Sequence, residues 1–262
     1  QACNHLGSSV LWRRQEPLPA RHTAASPRMT PQDEVVLMAR IAEAAERYED
    51  MADFMKERVE MGGVLSKEER DMFSAAFKHA MSSRRNATRI AKAICTAKEQ
   101  EGNQAQADLA TNYRSKMEAQ LRGVCEKALS TLEQSLIPGV GGDAEAKVFY
   151  LKMRGDYYRY LSENLEPSAR AEQASKAEQA YSTGIAEAEA ALSDVHPTRL
   201  GLVLNFSVFK HEVLGDTQGA IGMAHAVLAA ATPDKLNALD KDALQDSEMT
   251  LSLLQDNLHL WG

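Results

Sequence analysis

Helix punctuation is the feature of this sequence that most restricts its fold. Thr30-Pro31-Gln32-Asp33 supplies a side-chain cap, a first-turn proline and an acid at the positive end of a helix. Ser66-Lys67-Glu68-Glu69 is a capping box, in which a hydroxyl and a carboxylate satisfy each other's backbone N–H groups. Gly62-Gly63, Gly102 and Ile137-Pro138-Gly139 read as stops, and Pro167, His196-Pro197, Gly215-Asp216 and Thr232-Pro233 mark further breaks. Between them apolar residues recur at helical spacing, as in Leu37, Ile41, Ala45 and Tyr48. The period-two alternation of half-buried strands is missing. The expectation is an all-α chain of nine helices, mostly antiparallel neighbours joined by short loops. The first opens at Thr30 and the second ends at Met61. The others lie near 67–101, 104–135, 143–164, 168–193, 198–214, 217–231 and 241–261. No repeat at the spacing of tetratricopeptide arrays is visible.

Residues 1–28 differ from the rest of the chain, mixing Gly, Ser, Pro and Arg without a sustained period. They are set aside as a disordered or non-native leader, with the folded domain expected over 29–262. That leader carries Arg13, Arg14, Arg21 and Arg28 against Glu16, so the domain is more acidic than the net charge of −7 suggests. An acidic body argues against nucleic acid, which rewards a basic surface. No apolar run approaches the roughly 18 residues of a membrane span, so no membrane partner is expected. Cys3, Cys95 and Cys125 form no CxxC pair, and so sparse a set suits a reducing, cytoplasmic setting.

Catalytic chemistry is hard to find. His211-Glu212 and the Asp256/His259 pair are isolated, and the two Glu-x-x-His motifs of a helical di-metal site are absent. Gly139–Gly142 lacks the GK[ST] ending of a phosphate loop. The expectation is no enzyme, no metal and no cofactor. Three other stretches carry more. Lys78 and Arg85 are seven apart, two turns along one helix face. Asp156-Tyr157-Tyr158-Arg159-Tyr160 sets aromatics around a cation in an apolar segment. Leu204, Asn205, Val208 and Glu212 on one helix, and Leu253, Asn257 and Leu260 followed by Trp261 on the last, combine apolar side chains with an amide. Such stripes suit a groove for an extended peptide, where the amide bonds the backbone and the leucines pack its side chains. By spacing alone the blander reading leads for the charges, with Lys78 solvated and Arg159 a structural ion-pair partner; for the stripes, groove and buried core share one periodicity, so both readings stand.

Longer motifs change that balance. Ala42-Glu43-Ala44-Ala45-Glu46-Arg47-Tyr48-Glu49-Asp50-Met51, the segment from Lys147 to Leu161 (KVFYLKMRGDYYRYL), that from His196 to Phe209 (HPTRLGLVLNFSVF) and Leu253-Leu254-Gln255-Asp256-Asn257-Leu258-His259-Leu260-Trp261 resemble 14-3-3 proteins. The resemblance runs in order from about Pro31 to Trp261. It implies a cup-shaped dimer of nine antiparallel helices per subunit, each with an amphipathic groove that binds phosphoserine or phosphothreonine segments of client proteins in signal transduction. Within the family pattern Lys78, Arg85, Arg159 and Tyr160 match the phosphate clamp. Asn205 and Asn257 match the amides that hold the peptide backbone. Leu204, Val208, Leu253, Leu260 and Trp261 match the groove wall, and Lys152 and Glu212 its polar floor.

At the implied dimer face, homodimeric or with paralogues, Ile41, Ala45 and Tyr113 would be buried and Asp50 would face Lys116. Arg47 lacks its usual partner there, because Gln120 stands where an acid is usual. Thr250, His211 and Lys210 replace aliphatic or aromatic residues of the pattern, and Ala87 replaces a serine whose phosphorylation opens some dimers. The alternative function is a constitutive helical scaffold for unphosphorylated partners.

Overall fold

The computed structural model describes residues 29–163, 165 and 167–262; the leader lies outside them. Among these residues every regular element is helical. In chain order they are α1 (Pro31–Ala44), α2 (Tyr48–Glu60), α3 (Lys67–Gln100), α4 (Gln104–Thr131), α5 (Ala144–Ser162), α6 (Pro167–Ala191), α7 (Pro197–Phe209), α8 (Thr217–Ala230), α9 (Pro233–Asn237) and α10 (Lys241–Trp261). The all-α expectation holds. Apart from the three-residue turn Ile137–Gly139, ten helices are described where nine were expected, the addition being the short α9, with Thr232 at its N-cap and Pro233 in its first turn.

The expected capping box at Ser66 forms, and Thr30 makes a second. Thr30 Oγ1 accepts from the Asp33 N–H at 3.1 Å while the Asp33 carboxylate accepts from the Thr30 N–H at 3.1 Å. Ser66 and Glu69 do the same at 3.2 and 2.7 Å. Asp143, Asp216 and Asp240 cap α5, α8 and α10 through their carboxylates, so most starts obey the rule that a short polar side chain replaces the missing acceptor.

Stops depart from the sequence reading in two places, and a third keeps its position but changes its turn. The run Leu37–Tyr48 is not one helix. Glu46 takes a left-handed conformation (φ 55), and the Arg47 N–H turns back to Ala42 O at 2.8 Å. This closes α1 with a Schellman-type bond and starts α2 at Tyr48. At the end of α4 the helix widens into a π turn over Leu132–Leu136, with the Ile137 N–H reaching Leu132 O. Pro138 explains this, since it has no N–H and its ring crowds the carbonyl four residues back. A second π turn, Lys210–Leu214, extends α7 until Gly215 (φ 69) ends it.

The core comes in three parts. Met51, Met55, Phe73, Phe77, Leu132 and Tyr150 centre the first, which joins α1–α4 to α5. Tyr181, Leu202 and Phe209 centre the second, between α5, α6 and α7. Leu200, Ala224 and Leu254 close the third, between α7, α8 and α10. Helix α5 belongs to the first two, packing on α4, α6 and α7. Its closest approach is at Gly155, where a Cβ would sit 2.5 Å from Tyr181 Cε1. The same helix therefore carries both the backbone contact that lets α6 in and the charged residues Lys152, Asp156 and Arg159. No helix among the described residues is long and apolar enough to cross a membrane.

Candidate functional site

Three of the expected clamp residues come together. Arg85 reaches across from α3 to Glu163, just beyond α5, with Nη2 at 2.7 Å from Oε1 and Nε at 3.1 Å from Oε2. Arg159 Nη1 lies 3.6 Å from the same carboxylate. Both guanidinium carbons stand 4.5 Å from the centroid of the Tyr160 ring, inside cation–π range. Lys78 lies two turns earlier on α3 with an exposed side chain. No ion pair among the described residues uses its ammonium.

Electrostatics holds this cluster charged. Burial works against the Arg159 cation, but Tyr181, Tyr160, Asp156 and Glu163 more than offset it and raise its pKa above the ordinary guanidinium value. Its Nε is buried without a hydrogen-bond partner. The charged fork suits an oxyanion through its terminal nitrogens, because guanidinium geometry favours bidentate contact. The Tyr160 phenol is pushed up to about 12, first by burial and then by Asp156, with the two arginines pulling the other way. It stays protonated and able to donate.

A second cluster sits one turn below, around the buried carboxylate of Asp156. Tyr181 donates its hydroxyl to Oδ1 at 2.6 Å. The Asn205 amide nitrogen donates to Oδ1 and Oδ2 at 2.8 and 3.0 Å, and Lys152 Nζ donates to Oδ2 at 3.1 Å. An aspartate accepts only, so its contact fixes which way the amide points. The nitrogen of Asn205 faces Asp156 and its carbonyl oxygen remains for an incoming N–H.

The remaining groove residues lie on α7 and α10. Leu204 and Val208 are half-buried on α7, and Glu212 is exposed in its π turn. On α10 Leu253 is 46% and Leu260 80% exposed, while Asn257 and Trp261 are half-buried. Trp261 stacks on His211 with ring centroids 5.0 Å apart. The three polar replacements find local partners: His211 Nδ1 meets Thr217 Oγ1 at 3.0 Å, Lys210 pairs with Asp216 at 2.7 Å, and Thr250 donates back to Asp246 O at 2.9 Å.

Sequence reasoning missed three contributors. Glu163 follows Arg159 by four residues and Asp156 follows Lys152 by four, spacings at which opposite charges meet on a helix. Both were therefore detectable. Tyr181, on the distant α6, gave no signal in the sequence. Between α1 and α2, Arg47 has a partner in its own chain: its Nε and Nη2 donate to Asp50 at 2.8 and 3.2 Å. Ile41 and Tyr113 are 51% and 53% exposed, and Ala45 and Lys116 are also exposed.

A model of the family described as 14-3-3 protein matches residues 38–262. The chain belongs to the 14-3-3 family. It is 41% identical to 14-3-3 protein beta/alpha-1 of Oncorhynchus mykiss over 87% of this chain and 92% of that one. It is 42% identical to 14-3-3-like protein 2 of Caenorhabditis elegans over 87% and 91%, and 40% identical to 14-3-3 protein zeta of Xenopus laevis over 87% and 92%. Like other 14-3-3 proteins the chain is a regulatory adaptor that acts on protein partners, and phosphopeptide binding is the general function of the family.

Proposed function

We propose that this 14-3-3 protein recognises phosphoserine and phosphothreonine segments of client proteins through the cluster on α3 and α5, without catalysing a reaction on them. The supporting observation is the convergence of Arg85 and Arg159 on a single carboxylate above one tyrosine ring. A carboxylate is itself an oxyanion, so Glu163 stands where a phosphoryl oxygen would. Lys78, Arg85 and Arg159 supply three cations against that one anion. The surplus matches a phosphoryl group of about −2 charge. Each charge-assisted hydrogen bond contributes about 1.5–3 kcal/mol. Tyr160 adds a neutral donor, and Asn205 and Asn257 hold the peptide backbone. Leu204, Val208, Leu253, Leu260 and Trp261 pack its side chains, with Lys152 and Glu212 as the polar floor.

The same reading makes the protein a cytoplasmic dimer, with itself or with paralogues, through α1–α4. Leu37, Met38, Ile41, Leu109 and Tyr113 are large apolar side chains left between 43% and 70% exposed on α1 and α4, and a second copy would cover them together with Ala45. Asp50 would then be shared between Arg47 of its own chain and Lys116 of the partner subunit.

One observation favours the scaffold reading instead: Glu163 already partly neutralises the two arginines. Lys78→Glu separates the two. It places an anion beside the phosphate position, so affinity for a phosphoserine peptide should fall by about a hundredfold or more, since each 1.4 kcal/mol is tenfold. Melting should barely move, because Lys78 is exposed and such surface changes are usually within about 0.5 kcal/mol. Calorimetry with phosphorylated and unphosphorylated peptide decides: equal affinity for both would leave only the scaffold.

A further inference from the structure

The cationic face of α3 continues past the clamp. Lys78, Arg85, Arg89 and Lys92 fall within an arc of about 60° at 100° per residue, a strip about 21 Å long at 1.5 Å per residue. Beyond Arg85 this strip borders an open cleft of about 450 Å³, lined by Arg85, Thr88, Arg89 and Lys92, with Glu163 also in its wall. Glu163 belongs to Arg85 and Arg159. Arg89 donates to the neutral Asn86 Oδ1 at 2.9 Å, and among the described residues no ion pair includes Arg89 or Lys92. Among the described residues, two cations on one wall of a concave site therefore lack a counter-charge.

Thr88 makes the independent second observation. It is only 3% exposed, and its Oγ1 is buried without any hydrogen-bond partner. A buried hydroxyl left unpaired costs about 1–3 kcal/mol, and this one borders the same cleft.

We propose that this cleft is a second anion subsite, taking a further phosphoryl group on the same client segment whose first phosphate occupies the clamp. The inference rests on the phosphopeptide reading of the groove. The chemistry favours phosphate over a side-chain carboxylate. Two uncompensated cations match a group of about −1.5 to −2 charge, and its three acceptor oxygens can take Arg89, Lys92 and the Thr88 hydroxyl together. A carboxylate would leave one cation unmatched. Arg89 and Lys92 lie roughly 6 and 10 Å along α3 from Arg85. An extended peptide advances about 3.3–3.6 Å per residue, so the second phosphate belongs two or three residues from the first. Once the first is bound, the second contact is intramolecular and strengthens binding through effective concentration.

The test uses the full chain and one peptide in several forms. One form carries a single phosphoserine, and others carry a second phosphoserine two or three residues to either side. Controls carry glutamate at that second place. Affinities are measured for the wild type, for the Arg89→Ala/Lys92→Ala double variant and for Thr88→Val. At least one doubly phosphorylated peptide should bind the wild type tenfold tighter or more than the singly phosphorylated one. That ratio should fall to near one in the double variant and drop about threefold in Thr88→Val, while the singly phosphorylated peptide keeps its affinity within about threefold. Should alanine compromise folding, as judged by melting, Arg89→Gln/Lys92→Gln removes the charges with less loss of contact.

Absence of a gain from every second phosphate, or a gain that survives in the double variant, overturns the subsite and leaves the clamp standing. Glutamate giving the same gain as phosphoserine overturns the phosphoryl assignment. Failure of the singly phosphorylated peptide to bind the wild type removes the clamp reading and the subsite with it.

Discussion

Glu163 holds Arg85 by both of its oxygens, Nη2 lying 2.7 and 2.8 Å from them and Nε 3.1 Å from one. An incoming phosphate must share or displace that carboxylate. Glu163→Gln keeps an acceptor but removes the competing charge. Affinity for a phosphoserine peptide should rise about three- to tenfold, with the larger gain at low ionic strength where screening is weaker. Titration of both proteins at two salt concentrations checks this, and an affinity lowered by the substitution would show that Glu163 serves to align the arginines.

Gly155 sits in the interior of α5, where alanine would favour the helix by about 1 kcal/mol. Packing outweighs that preference. A Cβ there would lie 2.5–2.8 Å from three ring atoms of Tyr181, which is fully buried and cannot swing away into solvent. Overpacking of this kind costs about 1–3 kcal/mol. Gly155→Ala should lower stability in urea by about 1–2 kcal/mol. It should also weaken peptide binding, because Tyr181 bonds Asp156 and Asp156 orients Asn205. A more stable variant would mean that helix propensity dominates.

Association should depend on the apolar face of α1. Ile41→Glu sets a charge among Leu37, Met38 and neighbouring exposed apolar side chains, where a partner would otherwise cover them. Sedimentation should show dimers of the wild type at micromolar concentration and monomers of the variant. Since Ile41 is 51% exposed in the single chain, the monomer should remain helical. Monomeric wild type at that concentration would refute the dimer.

Alkali should unfold the protein through its phenols. Burial pushes Tyr150 and Tyr160 up to about 12, and Tyr157 and Tyr181 well above the ordinary value. Below about pH 10 these groups are protonated in both states and stability is unaffected by them. Above it the unfolded phenols release their protons while the folded ones keep theirs, so stability falls as pH rises from about 10 to 12. Each phenol contributes up to about 1.4 kcal/mol per pH unit to that loss. Urea midpoints at about pH 9 and about pH 11, either side of the ordinary phenol value, should differ strongly, the higher pH being the weaker; equal midpoints would contradict the burial of these side chains.

Local chemistry in the chain determined the helices and most of their starts. Thr30, Ser66 and the aspartates at 143, 216 and 240 cap because a short polar side chain beside its own backbone needs no distant partner. The long motifs around Tyr48, Arg159, Asn205 and Asn257 were likewise enough to name the family. The end of α1 was not legible, since Ala45, Glu46 and Arg47 are neither Gly nor Pro, yet Glu46 takes the left-handed turn. What tertiary structure alone decided is which charges meet: Arg85 with Glu163 across 78 positions, and Asn205 with Asp156 across 49. Periodicity specifies the face of a helix a residue occupies. It carries no information about what stands opposite, and that is set by how α5 packs against α4, α6 and α7 around Gly155 and Tyr181.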